Sequence, residues 1–167
     1  VTHGTDTLEE TAYFLHRVLA PAKPLVLTAA MRPATSLQAD GPQNLLDAVT
    51  LARDGRVAGV SVVIAGRAWA GADVRKLHSY RLDAFDGGDA GPLALIEDGR
   101  VRLLCQPTPA ASAVGVAAIA AEPATWPRVE IVLNHAGANG ALVDALLAQQ
   151  VDGVVVAGTG NGSMSTP

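Results

Sequence analysis

Two short apolar runs, "LVLTAA" at residues 25–30 and "VAGVSVVIAG" at 57–66, constrain this chain more than any other feature. Neither alternates apolar with polar residues, so each suits a strand buried on both faces rather than one with a wet side. The segments beside them carry a different period. Leu8, Ala12, Leu15, Val18 and Leu19 recur at steps of three and four, and Leu45, Leu46, Ala48, Val49 and Ala52 share another face, which predicts two helices. Thr7 followed by Glu10 has capping-box spacing and predicts a helix start near Leu8, while Pro21 and Pro24 stop that helix near Ala20. Asp40 is placed to cap the second helix, which starts at Pro42 and ends at Gly55. With a strand-like start at Val1, residues 1–64 read strand, helix, strand, helix, strand. That alternation predicts an α/β fold with a parallel sheet. Ligands of such sheets gather beyond the carboxyl ends of the strands, which is where Thr2–Thr7 falls.

The pattern breaks at residues 105–127, "CQPTPAASAVGVAAIAAEPATWP", whose prolines and alanines read as an interdomain linker. It then restarts. "VEIVL" predicts a strand, "VDALLAQQ" belongs to a helix, and "VDGVVVAGTGNG" is a strand running into a glycine-rich turn. The organisation is therefore residues 1–104 as one domain, 105–127 as linker and 128–167 as the start of a second, smaller α/β domain. The first strand has hardly begun at Val1 and no helix follows the last turn, so the chain is expected to be the middle of a longer protein.

A formal net charge of −4 and the lack of any basic run argue against nucleic acid as a partner, because phosphate binding draws on clustered Lys and Arg. No apolar run reaches the roughly 18 residues of a membrane-spanning helix. The chain is expected to be soluble, in cytoplasm or periplasm. The single cysteine, Cys105, excludes an intrachain disulfide and any multi-cysteine metal site, and is expected to be a small buried residue. His3, His16, His78 and His135 lack ligand spacing, so no metal is expected. "AGTGNG" at 157–162 misses both the phosphate-loop ending and the dinucleotide glycine spacing, and reads as a turn.

Thr5, Asp6 and Lys76 are the residues with chemical potential. A threonine hydroxyl becomes a nucleophile only when a neighbouring base takes its proton, and a lysine serves as that base only when neutral. A carboxylate at a helix start can alternatively hold a substrate ammonium while the exposed amides attract a substrate carboxylate. The plainer alternative is that Thr5, Asp6 and Thr7 cap a helix and Lys76 is a solvated charge. Spacing leaves these readings open.

Longer words of the sequence go further. "THGTDTLEETAYFL", "AAMRPATSLQADGPQNLLDAV", "DVRKLHSYRLDAF" followed by "GPL", and "VDGVVVAGTGNG" occur in this order and together span essentially the whole chain. They closely resemble the bacterial L-asparaginase family in its type II-like branch. The resemblance implies a three-layer N-terminal domain with a parallel sheet, followed by the start of a flavodoxin-like C-terminal domain. It implies hydrolysis of L-asparagine to L-aspartate and ammonia, with L-glutamine as a secondary substrate, no cofactor or metal, and a homotetramer. Thr5, Asp6 and Lys76 take the catalytic positions of their motifs, and Thr5, Asp6 and Ala30 take substrate-binding ones. The family's other catalytic threonine, in a Gly-Gly-Thr-Ile segment, would precede Val1, and its C-terminal glutamate would follow Pro167. The 167 residues alone are therefore expected to be inactive. Ile64, Ala65 and Gly66 stand where relatives often read Val-Met-Asn and an acidic residue, Arg75 replaces a frequent threonine and would add charge near Lys76, and Ser163 replaces a frequent asparagine. A silent homologue that only binds a small amino acid is the alternative. It would need Asp6 but has no use for a lysine base.

Overall fold

The two apolar runs become adjacent strands. In the computed structural model, which describes residues 1–106, 113–119 and 122–164, β1 (Pro24–Thr28) and β2 (Gly59–Ile64) pair in parallel, with Leu25 opposite Val60 and Thr28 opposite Val63. Val1–His3 continues the sheet on the far side of β1: Thr2 bridges Thr28 in parallel, Thr28 N donates to Val1 O at 2.9 Å and His3 N donates to Thr28 O at 2.9 Å. Among the described residues five strands follow β2 up to Leu103: β3 (Arg67–Ala70), β4 (Arg75–Lys76), β5 (Phe85–Asp86), β6 (Ala94–Glu97) and β7 (Arg100–Leu103). The main sheet has the order β1-β2-β3-β6-β7, and among the described residues β4 pairs with β5 alone.

The sheet is mixed rather than wholly parallel, because every pairing from β2 to β7 is antiparallel. Turn chemistry explains this. A parallel neighbour needs a long crossover, whereas two residues suffice to reverse the chain. Ala65-Gly66 joins β2 to β3 with φ of 52° and 71°, and Asp98-Gly99 joins β6 to β7 with φ of 49° and 67°. Both are left-handed pairs that match strand twist, but Asp tolerates that conformation and Ala does not.

Alternate residues of the strands face opposite cores. Leu27, Val60, Val62, Ile64 and Trp69 pack with Leu8 and Ala12 of α1 (Leu8–Leu19), while Val26, Val63, Ala68 and Ala70 pack with Ala48 and Leu51 of α2 (Gly41–Asp54). Helix, sheet and helix thus form three layers. The helix ends differ from the sequence reading. Neither Thr7 nor Asp40 makes a side-chain cap bond; the carboxylate of Asp40 instead bonds amides nine and eight residues upstream. At the other end of α1, Ala20 turns left-handed with φ of 37°, and Val114 N and Gly115 N donate to Arg17 O and Val18 O at 2.8 and 3.2 Å. Cys105 is exposed, not buried: it follows edge strand β7 as the chain leaves the sheet.

The chain divides into two units, Val1–Ala118 and Ile119–Pro167. The second holds β8 (Val129–Leu133), α3 (Ala141–Ala148) and β9 (Gly153–Ala157), with β8 and β9 parallel and Val129 opposite Gly153. The glycine-rich turn closes through Thr159 and Ser163, and a Cβ on Gly158 would lie 2.7 Å from the Gly162 carbonyl carbon, so only glycine fits. Of the expected linker, residues 107–112 and 120–121 lie outside the described residues.

The two hairpins make opposite predictions. Ala65→Asn should raise unfolding free energy by about 0.5–1 kcal/mol and Asp98→Ala should lower it by a similar amount, both read from urea denaturation; equal stability in all three proteins would show that neither turn is strained.

Candidate active site

Thr5 and Asp6 owe their position to the end of the strand before them. Once His3 N has bonded Thr28 O, the chain turns through Gly4–Thr7 and enters α1. The His3 ring fixes this turn, with Nδ1–H donating to Gly4 O at 2.8 Å and Nε2 lying 3.0 Å from Thr11 Oγ1. Because a carbonyl only accepts, a neutral ring leaves Nε2 to accept the Thr11 hydroxyl.

Lys76 comes from elsewhere in the fold and reaches this turn. Its Nζ donates to Thr5 Oγ1 at 2.9 Å and to Asp6 Oδ1 at 2.8 Å. The lysine side chain is only 17% exposed, whereas that of Asp6 is 93% exposed. Hydrogen bonding to Lys76, then its charge, holds the Asp6 carboxyl below the ordinary carboxylate value, and the Thr5 hydroxyl acts in the same direction. The ion pair itself stabilises the fold little, because one partner lies in water. What it does is hold an amine against a hydroxyl. Arg75 precedes Lys76 in β4, so its side chain leaves on the opposite face of the strand.

Ala30 lies two residues past β1 and is exposed. The loop after it is tied down by residues that spacing marked for other duties or missed. Asp40 Oδ2 accepts Met31 N at 2.9 Å and Oδ1 accepts Arg32 N at 2.8 Å. Asn44, buried on α2, donates to Asp40 Oδ2 at 3.0 Å and to Ala29 O at 2.9 Å, and accepts Ala65 N at 3.0 Å. One amide thus joins the ends of β1 and β2. Arg32 donates to Tyr80 O at 2.8 Å and stacks 4.4 Å from the Tyr80 ring centroid, linking the Ala30 loop to the segment that follows Lys76. Sequence reasoning also missed Glu9, whose carboxylate accepts the backbone amide of Lys76. An i,i+3 search from Thr7 finds Glu10 and passes over its neighbour.

Other surface hollows, one beside Arg56, Arg100 and Arg102 and one beside Asn134, His135 and Met164, bring no hydroxyl against a lysine. Among the described residues no group of three or more His, Cys, Asp or Glu is placed to hold a metal ion, and no helix is long and apolar enough to cross a membrane.

Residues 1–109 match the family model described as the N-terminal part of asparaginase. The chain belongs to the asparaginase family. It is 41% identical over 167 residues to L-asparaginase 2 of Escherichia coli (strain K12), covering 98% of this chain and 47% of that protein. The glutaminase-asparaginase of Pseudomonas fluorescens biotype A is 37% identical over 171 residues, covering 99% and 46%. Among solved structures, the probable cytoplasmic L-asparaginase of Campylobacter jejuni superposes with a TM-score of 0.85 at 36% identity, covering 99% of this chain and 53% of that one. The chain spans about half the length of the curated relatives it matches.

Lys76→Met should return the Asp6 carboxyl to the ordinary range, as read by carbon-detected NMR titration. Asp6 is lowered in the fold, so the pair's share of stability is present above the unfolded carboxylate pKa of about 3.9 and is lost as pH falls through the lowered value. The stability gap between wild type and Lys76→Met should therefore narrow in acid; an unmoved Asp6 titration would contradict the contact.

Proposed function

We propose that this asparaginase-family chain supplies the Thr5, Asp6 and Lys76 portion of a site that hydrolyses the side-chain amide of L-asparagine, with L-glutamine as a secondary substrate. The observation that carries this reading is the single lysine amine shared by Thr5 Oγ1 at 2.9 Å and Asp6 Oδ1 at 2.8 Å. Asp6 holds the substrate α-ammonium in the water-facing position its exposure allows. No side-chain cap occupies the first turn of α1, which leaves its amides for the substrate carboxylate. Ala30, two residues past the end of β1, borders the same edge.

Thr5 is set against the reacting amide and Lys76 takes or returns the proton that the hydroxyl exchanges. A hydroxyl oxygen bonds to the amide carbon as its proton passes to the base, and the negative charge that builds on the amide oxygen must be stabilised by donors fixed before the reaction. The C–N bond breaks as that proton is returned to the nitrogen and ammonia leaves. Water then adds to the acyl carbon to release the hydroxyl and the side-chain carboxylate of L-aspartate. None of these steps needs a metal or organic cofactor.

The wider reading follows the family. Residues 1–104 are the portion of an N-terminal domain, 105–127 a linker and 128–167 the opening of a flavodoxin-like C-terminal domain, in a protein that assembles as a homotetramer. This rests on the resemblance and on the parallel strand-helix-strand order of β8, α3 and β9.

Thr5→Val and Lys76→Met, made in the intact protein, should each lower kcat/KM for ammonia release from asparagine by on the order of 10²–10⁴-fold without changing the circular dichroism spectrum. Normal turnover in either variant would remove the assigned roles.

A further inference from the structure

We propose that Glu9 is a positioning residue for Lys76, fixing the lysine backbone so that its amine meets Thr5 and Asp6. The carboxylate of Glu9 accepts the Lys76 backbone N–H across the fold. The same helix end also holds the other end of that residue, since Thr5 Oγ1 and Asp6 Oδ1 accept from Lys76 Nζ at 2.9 and 2.8 Å. Lys76 is thus gripped at both its main chain and its amine by residues 5–9.

Lys76 needs such a grip because its own strand supplies little. Strand β4 is two residues long and, among the described residues, pairs only with the two residues of β5. Leu77 N donates to Ala84 O at 2.8 Å, so Lys76, one residue earlier and opposite Phe85, falls at the non-hydrogen-bonded position. Its amide therefore points away from β5 and towards Glu9. Without an acceptor there, a half-buried N–H is left without a protein partner, and the four-carbon side chain starts from a mobile base. Amine placement then carries the full rotamer freedom of a lysine.

Glu9 also has reason to be where it is. A carboxylate in the first turn of a helix is favoured by the helix dipole, and Glu10, the residue that capping-box spacing selects, is exposed. The pair of glutamates in "LEET" thus divides, with the first facing Lys76.

The inference rests on the reading of Thr5, Asp6 and Lys76 as a catalytic set, but its test separates the two. Three variants of the intact protein, Glu9→Asp, Glu9→Gln and Glu9→Ala, are compared by the titration of Asp6 in protein labelled with carbon-13 at the aspartate carboxyl carbon. Asp6→Asn assigns the signal, and thermal unfolding checks the fold. Glu9→Asp keeps the charge and withdraws the oxygen by one methylene. It should raise the Asp6 carboxyl towards the ordinary range and lower kcat for asparagine by about 10²-fold, with KM changed less. Glu9→Gln removes the charge and keeps an acceptor of the same reach, so it should retain the depressed Asp6 titration and most of kcat. Loss of charge alone would lower the Asp6 value, opposite to the change expected in Glu9→Asp. Glu9→Ala should follow Glu9→Asp; if it fails to fold, the other two variants decide. An Asp6 titration unchanged in folded Glu9→Asp, or lost equally in Glu9→Gln, overturns the role of Glu9. Absence of asparagine hydrolysis in the wild type overturns the catalytic reading instead, and the titrations still judge Glu9.

Discussion

The parallel register that joins Val1–His3, β1 and β2 is the constraint on which the site depends. Thr2 stands beside Thr28, and Thr28 beside Val63. Strands that run the same way release their following segments at the same edge, so Gly4–Thr7, the loop after Thr28 and the turn at Ala65 all emerge together. Burial on both faces enforces the register, since a one-residue slip would exchange the residues facing α1 with those facing α2.

A second regularity is that polar side chains near helix starts serve the tertiary structure before they serve their own helix. Asp40 takes the amides of Met31 and Arg32 instead of those of α2. Asn44 bridges the ends of two strands, and Glu9 takes the amide of Lys76. Each such bond reaches a backbone group outside the residue's own helix, from eight residues away for Asp40 to 67 for Glu9. A carboxylate or amide bonding two or three partners of this kind fixes loop geometry at little cost in mobile side chains. The loop after Ala30, the turn at Ala65 and the backbone of Lys76 are ordered in this way.

Those ties explain what could be read from the sequence and what could not. The helices over Leu8–Leu19 and Gly41–Asp54 and the strands of the two apolar runs were legible because period and burial agree there. The antiparallel extension was not drawn from the pattern, although the Asp98-Gly99 pair that reverses β6 into β7 is a strong hairpin sequence. The Ala65-Gly66 turn was harder, since alanine gives no sign of a left-handed backbone. Thr5, Asp6 and Lys76 were linked by family resemblance, and 70 positions separate Asp6 from Lys76 in the chain, so no local rule could pair them. Glu9 and Asn44 escaped because a long-range bond to a backbone amide leaves no mark in spacing. Cys105 was misplaced for a related reason: composition says that cysteine is usually buried, but not that this one follows an edge strand.

The most direct measurement is a crystal structure of the intact protein with L-aspartate, the product of asparagine hydrolysis, bound. The ligand's α-ammonium should lie on Asp6 and its side-chain carboxylate against Thr5 Oγ1, with Lys76 Nζ still bonded to both residues. A ligand bound away from Thr5 and Asp6, or a Lys76 amine turned out to solvent in the complex, would contradict this arrangement.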